Sequence, residues 1–286
     1  MCTSGLQASP PRFARSSLDE APGAEMARRN RRGGRSPPGG EPVEVVQGLR
    51  AGLASIAQRA GDVVRIAFVA ELRNELADTA RWAMEKGLPC REVDKSELFR
   101  LAESTHHEGL CVVMRPRTWQ SSGAFADALA RDGGVAVALD RIRNPYNVGA
   151  ILRSAAFFAV RGALLGAIAP HPGLSPIAVR VAEGGAEHLM LTRTTDLAET
   201  LARLRARGTI VVGADGRARM SAERLPLRRP VILVMGNERE GLGERVRAQC
   251  DTLVRIRGGG AIESLNVAVS AGILLHLLQR NANDIA

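Results

Sequence analysis

Residues 135–158 read VAVALDRIRNPYNVGAILRSAAFF. The five apolar residues from Val135 to Leu139 run without interruption and stop at Asp140. An uninterrupted apolar run of this length is what a strand buried on both faces requires. After a loop holding Asn144 and Pro145, a helix is predicted over Val148–Phe158. The same strand–loop–helix order continues to the C-terminus. Strands are predicted at Ala163–Gly166, Leu189–Thr192, Thr209–Val212, Val231–Met235 and Leu253–Ile256. Helices are predicted at Ile177–Ala182, Leu197–Arg207, Glu244–Cys250 and Ser264–Arg280. Apolar strands alternating with helices describe an α/β domain, residues 134–286, whose parallel sheet is covered on both faces.

Upstream the alternation is shorter. A helix is predicted at Val46–Ala60, a strand at Val63–Val69 and an amphipathic helix at Glu71–Lys86, closed by Gly87. A strand near Cys90–Val93, a helix at Lys95–Glu103, a loop at Thr105–Gly109 and a strand at Leu110–Met114 follow. These make a small α/β domain over residues 43–117. Residues 118–133 join the two domains and hold a short helix, Ala124–Arg131. Residues 1–42 are rich in Pro, Gly, Ser and Arg, lack apolar periodicity, and read as a disordered basic tail. Five arginines (Arg28, Arg29, Arg31, Arg32 and Arg35) follow Met26, which is expected to be the true start. That cluster is either an arm gripping phosphates or plain solvated charge.

The chain of 286 residues carries 39 Lys+Arg against 30 Asp+Glu, a net charge of +9. Lys86 and Lys95 are the two lysines, so the basic side chains are almost all arginine. The surplus is compatible with a polyanionic partner and equally with codon composition. No apolar run reaches the ~18 residues of a membrane span. Cys2, Cys90, Cys111 and Cys250 are scattered, as expected of reduced thiols in a cytoplasmic protein, and no metal-ligand spacing is present. Aromatic residues are 3% of the chain, too few for a base-stacking sheet.

Neither a Walker A loop nor G-x-G-x-x-G occurs, since Gly241-Leu242-Gly243 has Val246 where the third glycine belongs. Instead three strand-to-loop junctions gather Gly, Asn, Ser, Arg and Glu, at the strand ends where open α/β sheets bind ligands. The first holds Asn147, at a position suited to a helix N-cap, and Arg153, which can equally be a surface arginine. The second, Met235-Gly236-Asn237-Glu238-Arg239-Glu240-Gly241, combines glycines that allow close backbone approach with two carboxylates, or is a flexible solvated loop. The third runs from Ile256 through Gly258, Gly259 and Gly260 to Ser264, Leu265 and Asn266. There Ser264 can cap the last helix and Asn266 project from its first turn.

In order and chemistry the three junctions resemble the motifs of the SpoU (TrmH-type) branch of the SPOUT RNA methyltransferases. The matching residues are Asn147, Gly149, Arg153 and Ser154; Gly236, Asn237, Glu238, Gly241 and Leu242; and Ser264, Leu265, Asn266 and Val267. Gly48-Leu49-Arg50 and His106-His107-Glu108-Gly109-Leu110 resemble the N-terminal substrate-binding domain that these enzymes often carry. The resemblance implies S-adenosyl-L-methionine as cofactor, a ribose 2′-hydroxyl of RNA as substrate, ribosomal RNA before transfer RNA, a C-terminal trefoil knot and a homodimer. It assigns Arg153, Asn147, Glu238, Ser264 and Asn266 to catalysis, and Met235, Gly236, Asn237, Ile256 and Leu265 to the cofactor. One departure is that family members commonly have Ile-Pro-Met where this chain has Ile256-Arg257-Gly258. It implies an altered cofactor pocket, or a catalytically weak RNA-binding member.

The resemblance gives Arg153 the proton-handling role. A guanidinium, with a pKa above ~12, is a poor base, so stabilisation of a developing alkoxide or a clamp on the adjacent phosphate suits it better. Asn147 and Glu238 are then expected to orient Arg153 or the ribose. His106 and His107 are expected either at the RNA or in a structural turn. Arg50, Arg59, Arg65, Arg73 and Arg81 either line an RNA face or form an ordinary solvated surface.

Overall fold

A computed structural model describes residues 42–166, 174–225 and 230–283. The predicted tail, with Met26 and its arginines, lies outside the described residues. The first sheet contains β1 (Glu44–Gln47), β2 (Val63–Phe68), β3 (Cys90–Glu92) and β4 (Leu110–Met114), in the order β1-β4-β2-β3. Strand β4 runs antiparallel to both β1 and β2, and β3 is parallel to β2. Helices α1 (Leu49–Gln58) and α2 (Ala77–Glu85) bury Ile56 and Ala83 with Ile66, Val112 and Met114 on one face. Helix α3 (Lys95–Ala102) buries Leu98 and Ala102 with Ala67 and Cys111 on the other.

Two predictions fail here. The helix expected from Val46 begins at Leu49, because Val45 and Val46 pair with Val113 and Val112, and Gly48, at φ +97°, turns the chain. A four-residue strand held by a partner over sixty residues away has no local signature. The helix expected from Glu71 starts at Ala77, after a 3₁₀ turn at Ala70–Leu72.

The second sheet has seven strands, all parallel: β5 (Val135–Leu139), β6 (Gly162–Gly166), β7 (Met190–Thr194), β8 (Ile210–Ala214), β9 (Met220–Ser221), β10 (Val231–Met235) and β11 (Thr252–Arg255). Their order is β7-β6-β5-β10-β8-β11-β9. Alternate residues of each central strand serve opposite faces. Val135, Val137, Leu139, Leu233 and Met235 pack with α5 (Pro145–Phe157) and α9 (Val267–Asn283). Ala136, Ala138, Ile232 and Val234 pack with α4 (Ser122–Asp132), α7 (Leu197–Ala206) and the single turn α8 (Glu244–Arg247). Thus α4, in the connection between the sheets, covers the second one through Phe125 and Leu129. Helix α6 (Pro176–Val181) lies against α5 so closely that a Cβ on Gly149 would fall 2.5 Å from the Ala178 carbonyl oxygen. The α/β class and the parallel sheet are as the sequence predicts.

Candidate active site

Strands β5 and β10 are neighbours, and from there the chain runs to β6 on one side and reaches β8 on the other. This is the switch point at which open α/β sheets bind ligands. Asp140, at the end of β5, donates its backbone N–H to the Met235 carbonyl at 2.8 Å and accepts the Gly243 N–H on its carboxylate at 2.7 Å. Arg141 beside it pairs with Glu240 and donates to the Gly241 carbonyl at 2.9 Å. These two residues join the first and second loops. The pattern-based reading missed them, although an Asp-Arg pair at the mouth of a buried strand was the signal available.

Within the second loop Asn237 acts as a clamp. Its Oδ1 accepts the N–H of Arg239 at 3.0 Å and of Glu240 at 3.2 Å, while its Nδ2 donates to the Arg141 carbonyl at 3.0 Å. The backbones of Asn237 and Gly241 exchange two hydrogen bonds. Gly236 is buried in this fold-back, where a Cβ would lie 2.4 Å from the Gly241 carbonyl carbon. Its role is therefore steric as much as it is access for a ligand.

All three loops meet at Asn147. Its Nδ2 donates to Glu238 Oε1 at 2.6 Å, and its Oδ1 accepts from Asn266 Nδ2 at 3.1 Å. Asn147 is buried, whereas Glu238 and Asn266 are exposed, so the chain of polar groups runs from interior to surface. The N-cap of α5 is Asn144, which accepts from Tyr146, so Asn147 is not the cap and its amide is free for this network. Ser264 is not the cap of α9 either. Asn266 accepts the N–H groups of Ala268 and Val269, the helix begins at Val267, and Ser264 lies exposed three residues earlier.

Arg153 does not join this cluster. It lies six residues beyond Asn147, roughly 120° round the helix, and its Nη1 donates to Glu183 Oε1 at 2.7 Å. Of the two expected roles of Asn147 and Glu238, orienting Arg153 is therefore corrected within one chain, and orienting the ribose is the alternative that stands untouched. Ser154 and Arg153 border an apolar groove between α5 and α9, with Phe157, Phe158, Val269 and Ile273. Phe157 is 82% exposed there. Met235 is buried and Ile256 half-buried at the ends of β10 and β11, and Leu265 and Ile262 are exposed on the third loop. Backbone groups beside unpartnered apolar side chains suit a flat heterocycle better than a metal. Among the described residues no cluster of His, Cys, Asp and Glu could hold one.

Burial pushes the Cys111 thiol up to about 12 and the Cys250 thiol up to about 11, so neither is a ready nucleophile. His107 Nδ1 accepts the Gly109 N–H at 3.1 Å, and the preceding carbonyl-lined turn holds Gly48, whose N–H reaches the His107 and Leu110 carbonyls. Burial, with Lys95 nearby, lowers the His107 pKa and favours the neutral ring. This residue therefore builds the turn, while His106 is exposed. Of the arginines considered for an RNA face, Arg50, Arg59, Arg73 and Arg81 all have carboxylate partners. Arg65 has no ion pair among the described residues.

Residues 134–276 match the model of the SpoU rRNA Methylase family. A relative from Mycobacterium ulcerans (strain Agy99), described as an "Uncharacterized tRNA/rRNA methyltransferase", is 32% identical over 240 residues, covering 82% of this chain and 74% of its own. An AdoMet-bound rRNA methyltransferase from Sinorhizobium meliloti shares the fold, with a TM-score of 0.70 at 23% identity over 83% of this chain and 87% of its own. So does a protein described as an RNA 2′-O ribose methyltransferase, with a TM-score of 0.67 at 24% identity over 84% and 89% of the two chains.

Proposed function

The chain belongs to the SpoU rRNA methylase family, and from that premise we propose that it methylates a ribose 2′-hydroxyl of ribosomal RNA in the cytoplasm. It is an RNA methyltransferase of an S-adenosyl-L-methionine-dependent family. The observation that carries the finer reading is the Asn147–Glu238–Asn266 chain, which ties all three motif loops to one point at the carboxyl ends of β5 and β10.

The cofactor supplies an electrophilic methyl group on a sulfonium. The residues present fit it: the loops after β10 and β11 place backbone groups beside the exposed apolar side chains of Leu265 and Ile262. Met235, Gly236, Asn237 and Ile256 would hold the adenosine through their backbone, with Leu265 against the ring. Asn147, Glu238 and Asn266 would fix the nucleotide and the third loop, with Ser264 at their edge. Arg153 would stabilise the alkoxide that develops as the 2′-hydroxyl loses its proton, or clamp the neighbouring phosphate bidentately.

Arg153 faces away from its own Asn147 and onto the apolar groove between α5 and α9. A second copy seated on that groove would cover Phe157 and bring an Arg153 to the opposite site. The active form in this reading is therefore a homodimer. The family's trefoil knot belongs to the same reading.

The test incubates the purified full chain with methyl-labelled S-adenosyl-L-methionine and either ribosomal or transfer RNA lacking the modification. Label in 2′-O-methylnucleosides of ribosomal RNA is the expected result. Label in transfer RNA alone moves the substrate, and label on a base overturns the ribose assignment. Failure to bind the cofactor would overturn the catalytic reading in favour of a non-catalytic RNA-binding member of the family.

A further inference from the structure

One carboxylate outside the motifs touches Arg153. Glu183 accepts from Arg153 Nη1 through Oε1 and from Arg50 Nη1 through Oε2, each at 2.7 Å. Arg50 belongs to α1, in the first domain, so a single carboxylate links that domain to the helix carrying Arg153.

The backbone around Glu183 is shaped for this contact. Glu183 has φ +46° and Gly184 has φ +89°, two successive left-handed residues, the first of them not glycine. Such conformations are costly and persist where the surroundings impose them. Here the segment is wedged between two helices. A Cβ on Gly184 would lie 2.5 Å from Ala54 Cβ of α1, and one on Gly185 would lie 3.0 Å from Arg153 Cα.

The wedge rests on a firm base. The side chain of Glu187 is buried and accepts from Ser55 Oγ at 2.9 Å, Arg59 Nε at 2.9 Å and Arg117 Nη2 at 2.8 Å. Val179 of α6 is part of the first domain's core. The ion pairs of Glu183 itself are partly solvated, with side-chain exposures of 72% for Arg50 and 53% for Arg153. Pairs of this kind contribute little to stability. What the arrangement determines is the position of the guanidinium.

We propose that Glu183 is a positioning residue, which fixes Arg153 for reaction and makes that orientation depend on the first domain through Arg50. The inference rests on the assignment of Arg153 to the methyl-transfer site. A displacement of about 1 Å in such a group can cost a hundredfold in rate.

The test uses the full-length protein. Glu183→Gln is expected to lower kcat at least about tenfold while KM for RNA, KM for cofactor and melting temperature hold. Glu183→Asp should recover part of the loss, and it serves as the working variant if the glutamine form does not fold. In an Arg153→Ala background, Glu183→Gln should have no further effect, because the group it positions is gone. Side-chain ¹⁵N relaxation reads the same contact without any assay of activity, and the Arg153 guanidinium should become mobile in both Glu183→Gln and Arg50→Ala. Wild-type kcat in Glu183→Gln, additive losses with Arg153→Ala, or an Arg153 as rigid as before would each overturn the positioning role. An unchanged Arg153 in Arg50→Ala would overturn the coupling between domains. An inactive wild-type protein would instead count against the proposed function, leaving the relaxation result to decide the role of Glu183.

Discussion

Asn147 uses both ends of its amide, the NH₂ group toward Glu238 and the carbonyl oxygen toward Asn266. Asn147→Asp keeps the shape and replaces the donor with a second acceptor facing a carboxylate. Methyl transfer should fall about a hundredfold and stability by about 1–3 kcal/mol, the cost of an unpaired buried polar group. Radiolabel transfer and denaturant unfolding check the two effects. Arg153→Lys should lower kcat by a similar factor with melting unchanged, since the side chain is half exposed and its fork geometry is what is lost. Full activity in that variant would remove the fork from the mechanism. The residue types at the motifs were readable, but their partners were not. Of the two asparagines near Pro145, the one before the proline is the cap, as proline at the first helical position favours. Pattern alone did not separate Ser264 from Asn266, because what selects Asn266 is contact with Asn147. Glu183 has no local signature at all, since its arginine partners lie 30 and 133 residues away.

Among the elements, β4, β5 and β10 fall on their predicted bounds because each is a run of five buried apolar residues bounded by glycine, proline or a charged residue. Strands β1 and β9 escape prediction, being short and defined by pairing with β4 and β11. The loop after β10 should not tolerate a methyl group: Gly236→Ala collides with backbone and is expected to destabilise by about 1–3 kcal/mol, measurable by thermal melting. Between the first and second sheets, the carboxyl of Glu187 is subject to burial, which raises its pKa, and to Arg117 and Arg59, which outweigh burial and hold it below 4.5. A depressed carboxylate stabilises the fold fully above its unfolded value and loses that contribution as pH falls through the folded one. Stability should therefore decline as pH drops below about 4.5, the ordinary glutamate value. Glu187→Gln should remove that part of the slope and cost about 3 kcal/mol at neutral pH, because two largely buried guanidinium groups lose a counter-charge. Denaturant titrations of both proteins across the acid range make the comparison.

At the scale of the whole molecule, many of the arginines are engaged in ion pairs spread over both domains, so net charge located neither the site nor a nucleic-acid face. The order of the motifs along the chain was more informative, because it follows the order of strand ends around the switch point. Phe157 exposes an aromatic ring on the groove beside Arg153, and Phe157→Glu should leave the monomer folded while abolishing self-association and methyl transfer together. Analytical ultracentrifugation alongside the transfer assay tests this, and an active monomeric variant would refute a site completed by two copies.

Because β10 lies between β5 and β8, the middle of the large sheet closes late in synthesis. Val135 leaves the ribosome long before Val231, the residue it aligns with. Until then β5 has β6 on one side and an open edge on the other, and β8 lacks β10 as its inner neighbour. A nascent chain stalled before Val231 would carry the open edge of β5 and both edges of β8, rich in alanine and valine, a template for association with other chains. The smaller sheet, complete by Met114, has no such wait for its own strands. Translation of this protein thus has a vulnerable interval, and the gap in the middle of the sheet closes only when the strand that bears the second motif emerges.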